Sequence, residues 1–128
     1  MTILDTSVWA AYFNDEDSQY AKPQKALSDA RLPIAIPEYV VLETTTVLTQ
    51  RAGKAAADRF LDLVSDIDDM DLLPTDERFF LEIIQAFRDQ PSRQLSFTDV
   101  ALLILARTHA VVTFDRQLAN AIKRQAKS

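Results

Sequence analysis

The stretch TILDTSVWA, residues 2–10, is a short apolar run that closes on a carboxylate, Asp5, and then turns helical, with Val8, Ala11 and Tyr12 at helical spacing. The same order returns in AVVTFDRQLA, residues 110–119, where Asp115 closes another apolar run ahead of a helical pattern. Two strand-to-helix junctions that both carry an aspartate ask for a shared cause. In an open α/β sheet, ligands bind at the carboxyl ends of strands beside a topological switch point, and both acids stand at such ends.

The rest of the chain alternates in the same way. RLPIAIP reads as a strand and leads at Pro37 into the helix EYVVLETTTVLTQRAG, which Gly53 ends. KAAADRFLDLVSDI is a helix and DMDLLP a strand. TDERFFLEIIQAFRD is a helix that places Phe79, Phe80, Ile83, Ile84 and Phe87 on one broad face. LSFTDVALLILARTH is apolar nearly all round and so reads as a central buried helix. AVVTF is the last strand and RQLANAIKRQ the last helix. After the first helix, a polar NDEDSQ turn precedes a helical stretch around AKPQKALSDA, with Pro23 in its first turn or at a break. Strands alternating with helices predict an α/β fold, a central mainly parallel β-sheet flanked by α-helices, in one domain over residues 1–128.

Composition removes whole classes of chemistry. The absence of cysteine excludes disulfides, thiolate nucleophiles and cysteine zinc sites and fits a reducing compartment. Gly53 is the only glycine, so neither a Walker-type phosphate loop nor a dinucleotide fingerprint can be built. His109 is the only histidine, which rules out a two-histidine ribonuclease and a HExxH protease. Its place at the end of a predicted helix suits a dipole contact better than a Ser-His-Asp triad. No apolar run reaches the ~20 residues of a membrane span, and the start lacks a basic segment followed by an apolar one, so the expectation is a cytoplasmic protein with no membrane partner.

The net charge of −5 argues against a polyanion partner until its distribution is considered. Residues 58–89 carry ten acids against three arginines, whereas residues 90–128 carry six cations against two acids. The basic C-terminal third can meet a polyanion or be a solvated helix face.

Each aspartate also has a bland explanation. Asp5 and Asp115 can be N-caps, and Asp99, three residues after Ser96, has capping-box spacing. Glu43 resists this. It lies inside a helix between Val40 and Val47, along a face that should be buried, where a carboxylate needs a positive partner. That partner is Arg51, Arg107 or a metal ion shared with other acids. A cluster with only oxygen ligands selects Mg2+ or Mn2+ over zinc, and such an ion supports phosphodiester hydrolysis without histidine or cysteine.

LDTSVW, PEYVVLETTTVL, LSFTDVALLILA and VVTFDRQLA, in that order over the whole chain, carry a resemblance. The chain resembles PIN-domain ribonucleases, and in size and layout the VapC-like toxins of type II toxin-antitoxin pairs. The resemblance implies a metal-dependent endoribonuclease that cuts single-stranded or structured RNA, tRNA or rRNA included, with a metal-activated water and leaves 5'-phosphates. By motif, the four acids holding Mg2+ or Mn2+ are Asp5, Glu43, Asp99 and Asp115. Thr6 or Ser7 would orient Asp5, Thr113 would be a supporting hydrogen-bond donor, and Arg116 is the candidate to hold the scissile phosphate. Gln117 departs from relatives that carry another acid there, which puts a second metal position in doubt. A homodimer and a cognate antitoxin protein are the implied partners, with the Phe79 to Phe87 face, Trp9 and Tyr12 serving either as docking surface or as core. Two alternatives remain: a catalytically silent PIN-like binding module whose acids only cap helices, and another Mg-dependent phosphohydrolase. Against the second, haloacid-dehalogenase-type phosphatases want an acid where this chain has Ser7.

Overall fold

The computed structural model describes residues 1–14, 33–66, 70–91 and 95–128. The elements run β1 (Thr2–Leu4), α1 (Thr6–Phe13), β2 (Ile34–Pro37), α2 (Glu38–Arg51), α3 (Lys54–Asp66), β3 (Met70–Leu73), α4 (Glu77–Arg88), α5 (Phe97–Leu105), β4 (Ala110–Val112) and α6 (Arg116–Ala126). The helix expected around residues 21–30 and most of the preceding turn lie outside the described residues.

The strands form one sheet in the order β3-β2-β1-β4, and every pairing is parallel. β1 is paired on both sides, which explains why TIL is buried at every position, even at Thr2. The chain moves outward from β1 to β2 and β3, then crosses back to lay β4 against the free side of β1. The β1/β4 boundary is therefore the switch point.

The apolar pattern converts directly into packing. Ile3, Leu4, Ile36, Val40, Leu48, Phe60, Leu102 and Leu118 are almost completely enclosed in the main core. Trp9 joins them, 1% exposed, with its ring 5.5 Å from that of Phe60, so it is core and offers no docking surface. The α5 helix is as buried as expected: Leu102 enters the main core, while Val100, Ala101 and Ile104 form a second cluster with Ile83. Gly53 does end α2. It adopts φ +97, and its amide and that of Ala52 both return to the Leu48 carbonyl.

Two expectations shift. On the broad face of α4 only Ile83 is fully enclosed, and Phe80 and Phe87 remain 42% and 41% exposed, leaning on Phe97. The strand expected over residues 110–114 stops at Val112. The Asp5 amide takes the Val112 carbonyl at 2.9 Å, after which the Phe114 and Asp115 amides turn to side-chain hydroxyls instead of strand neighbours.

Candidate active site at the switch point

Asp5 follows β1 directly and is 3% exposed. Three donors meet it: the Thr6 amide at 2.7 Å on Oδ1, and the hydroxyls of Ser7 at 3.0 Å and Thr113 at 2.7 Å, both on Oδ2. Each hydroxyl also accepts an amide of the loop after β4, Ser7 from Phe114 and Thr113 from Asp115, both at 3.0 Å. The two sides of the switch point are stitched together through one carboxylate. Thr113 serves Asp5 across the sheet with its hydroxyl, which accepts the Asp115 amide and lies 3.4 Å from the Ser7 hydroxyl. Thr6 acts through its amide; its hydroxyl accepts from Thr44 at 3.3 Å and ties α1 to α2.

The other acids come from three further elements. Asp115 caps α6, its Oδ1 accepting from the Leu118 amide at 3.1 Å. Asp99 and Ser96 form the expected capping box at the start of α5. Glu43 sits on α2 beside fully buried Thr44 and is itself half-buried. All four acids line a single open cavity of about 410 Å³.

The electrostatics of this cavity are unbalanced. Burial, and then the nearby charges of Asp5 and Asp115, push the Asp99 carboxyl up from 3.8 to about 6, despite opposing hydrogen bonds with Ser96. Among the described residues no ion pair neutralises any of the four acids. Arg107, one expected partner of Glu43, instead meets Glu82 at 3.3 Å. Arg51, the other, lines the cavity without pairing with Glu43. An all-oxygen set of donors on one cavity with excess negative charge suits a hard divalent cation. Among the described residues no three acids stand close enough together to hold a metal ion as they are placed.

Arg116 is exposed at the start of α6 and does not line the cavity. The lining cation is Arg51, a residue that the sequence suggested only as an ion-pair partner. Glu43, Val47 and Arg51 recur at i, i+4 and i+8 and all three line the wall, so the spacing gives their shared face but not its role. His109 lies just before β4, at the opposite end of that strand from Asp115, and its Nδ1 is 3.2 Å from the Leu105 carbonyl. It belongs to a helix terminus, and among the described residues no triad is assembled around it.

The PIN-domain family profile matches residues 2–123. The chain belongs to the PIN-domain family. PIN domains are nucleases, and the four-acid cavity stands where this fold places its strand ends. A comparison with curated protein sequences gives no match. Among solved structures, the chain is similar to Mycobacterium tuberculosis VapC20, a Sarcin-Ricin loop cleaving toxin, with a TM-score of 0.85 and 19% identity over 94% of this chain and 95% of that one. It is also similar to PAE2754 from Pyrobaculum aerophilum, with a TM-score of 0.60 and 22% identity over 99% of this chain and 90% of that one. At such identities these likenesses speak for the PIN fold. No helix among the described residues is long and apolar enough to cross a membrane.

Proposed function

We propose that the chain, acting as one domain, is a metal-dependent endoribonuclease and the toxin of a toxin-antitoxin pair. The observation that carries this reading is the convergence of Asp5, Glu43, Asp99 and Asp115 from four elements on one cavity at the switch point. These four would hold Mg2+ or Mn2+. When bound, such a cation would lower the pKa of a water and offset the charge of a phosphodiester.

The chain's own residues define the rest. Ser7 and Thr113 hold Asp5 in one rotamer, so that its position is fixed before substrate arrives. Arg51, on the cavity wall, is placed to meet a phosphate oxygen of the bound strand. Arg116, beside Asp115 but outside the wall, would contact a neighbouring phosphate. The likeness to a toxin that cleaves the Sarcin-Ricin loop supports a structured RNA loop as substrate, tRNA or rRNA, within the cytoplasm. The half-exposed Phe80 and Phe87 offer apolar surface for an antitoxin or for a second copy in a homodimer.

A second reading has its own observation: Asp5, Asp99 and Asp115 all complete helix N-termini, as they would in a silent binding module. Mapping the ends of RNA fragments made by antitoxin-free protein separates the two. Discrete cuts with 5'-phosphates that vanish in Asp5→Asn support the nuclease, and intact RNA with a well-folded sample supports the module.

A further inference from the structure

A second hollow, of about 280 Å³, lies beside the acid cavity and is walled by Leu95 and by Gln117, Asn120 and Arg124 of α6. We propose that this groove seats the nucleotide flanking the scissile phosphate of a single-stranded RNA, so that its side chains help choose the sequence that is cut. The inference rests on the nuclease reading above and deepens it.

Continuity comes first. Leu95 of the groove precedes Ser96 of the acid cavity, and Gln117 follows Asp115 by two residues, so chain neighbours line the two hollows on both the α5 and α6 sides. In the proposed arrangement, an RNA strand with one phosphate at the acids lays its neighbouring nucleotide in the groove. The chemistry then fits a nucleotide. Gln117 and Asn120 carry amides, and each amide offers both donor and acceptor to a base edge. Leu95 supplies an apolar surface for the face of a base. Arg124 supplies the cation for a phosphate, and among the described residues no ion pair occupies it. Among the described residues no carboxylate lines the groove, in contrast with the neighbouring cavity.

The wall is also rigid. Gln117, Asn120 and Arg124 fall at i, i+3 and i+7 of α6, on a stripe bordering the buried Leu118 and Ala121. The helix is pinned to α5 where the Gln125 side chain donates to the Leu103 carbonyl at 2.8 Å. The Gln117 side chain belongs to the groove and not to the acid cavity.

The test measures binding of fluorescein-labelled single-stranded RNA oligonucleotides of varied sequence by anisotropy, in an Asp99→Asn background that does not cut, alongside cut-site mapping on total RNA with Asp99 restored. Arg124→Ala should weaken binding about tenfold and lower the salt slope by about 0.7, the loss of one single-strand phosphate contact, while Arg124→Lys keeps the slope. Gln117→Ala with Asn120→Ala should flatten the preference among oligonucleotides and broaden the cut sites, leaving the salt slope in place. Variants that bind with the parent's affinity, slope and preference and cut at the same sites would overturn the groove while leaving the nuclease intact. A chain with Asp99 that neither binds nor cuts RNA would overturn the nuclease reading, and the groove with it.

Discussion

Asp76 and Asp115 perform the same local task at two strand-to-helix junctions. Asp76 follows β3 and caps α4, its Oδ1 accepting from the Phe79 amide at 2.8 Å; Asp115 follows β4 and caps α6 with the matching bond to Leu118 at 3.1 Å. Both junctions lie at the carboxyl edge of a parallel sheet. Asp115 alone of the two joins Asp5, Glu43 and Asp99 at the cavity, because β4 lies against β1 whereas β3, the opposite edge of the sheet, is separated from β1 by β2. Two strand spacings, roughly 10 Å, keep Asp76 from Asp5. Capping is thus a local property of the sequence, and membership in the cavity is a property of strand order.

The sharpest way to break this comparison is to neutralise one acid of each kind. Asp5→Asn should reduce RNA cleavage by about a thousandfold or more with unchanged circular dichroism, as expected when a cation-holding group is lost, while Asp76→Asn cleaves at the parental rate. Next in size is Thr113→Val, which removes a donor from Asp5 and the acceptor of the Asp115 amide together. It should lower kcat/KM about 10- to 100-fold, the range for a residue that orients a cation ligand.

Asp99 sharpens the contrast through stability. Its folded pKa of about 6 lies above the ordinary 3.8, so the folded state binds the proton more tightly than the unfolded chain does. This favours folding at acid pH and is lost as pH rises through about 6, so that at pH 7 the ionised carboxylate destabilises the cation-free fold. The side chain is partly exposed, which discounts the full effect to on the order of 1–2 kcal/mol. In urea titrations without divalent cations, Asp99→Asn should therefore be more stable than the parent at pH 7.5 and lose that advantage toward pH 4. The smallest effect belongs to the β3–α4 junction: Asp76→Ala should cost about 1 kcal/mol, a lost cap, with cleavage unchanged.

What could be read in the sequence follows from the same distinction. Asp5, Asp99 and Asp115 were visible because each sits in a local pattern of strand, cap and helix, and Glu43 because it interrupts an apolar period. Their meeting required the order β3-β2-β1-β4, which no single junction encodes. Thr113 was recognised as a supporting donor, but its partner Asp5 lies 108 residues away. Arg51 was hidden because i, i+4 and i+8 define a face without saying that the face is a cavity wall. The broad apolar face of α4 likewise predicted a helix correctly, yet amphipathic spacing does not say how much of a face is covered, and Phe80 and Phe87 stay half-exposed.

The most direct test of the central claim is cleavage of a labelled total-RNA pool by the antitoxin-free protein in EDTA and after addition of Mg2+ or Mn2+, with Asp99→Asn and Asp76→Asn in parallel. The account predicts discrete cuts that require the cation, disappear in Asp99→Asn and persist in Asp76→Asn. Cuts that survive in EDTA or in Asp99→Asn, or that disappear equally in Asp76→Asn, would contradict it.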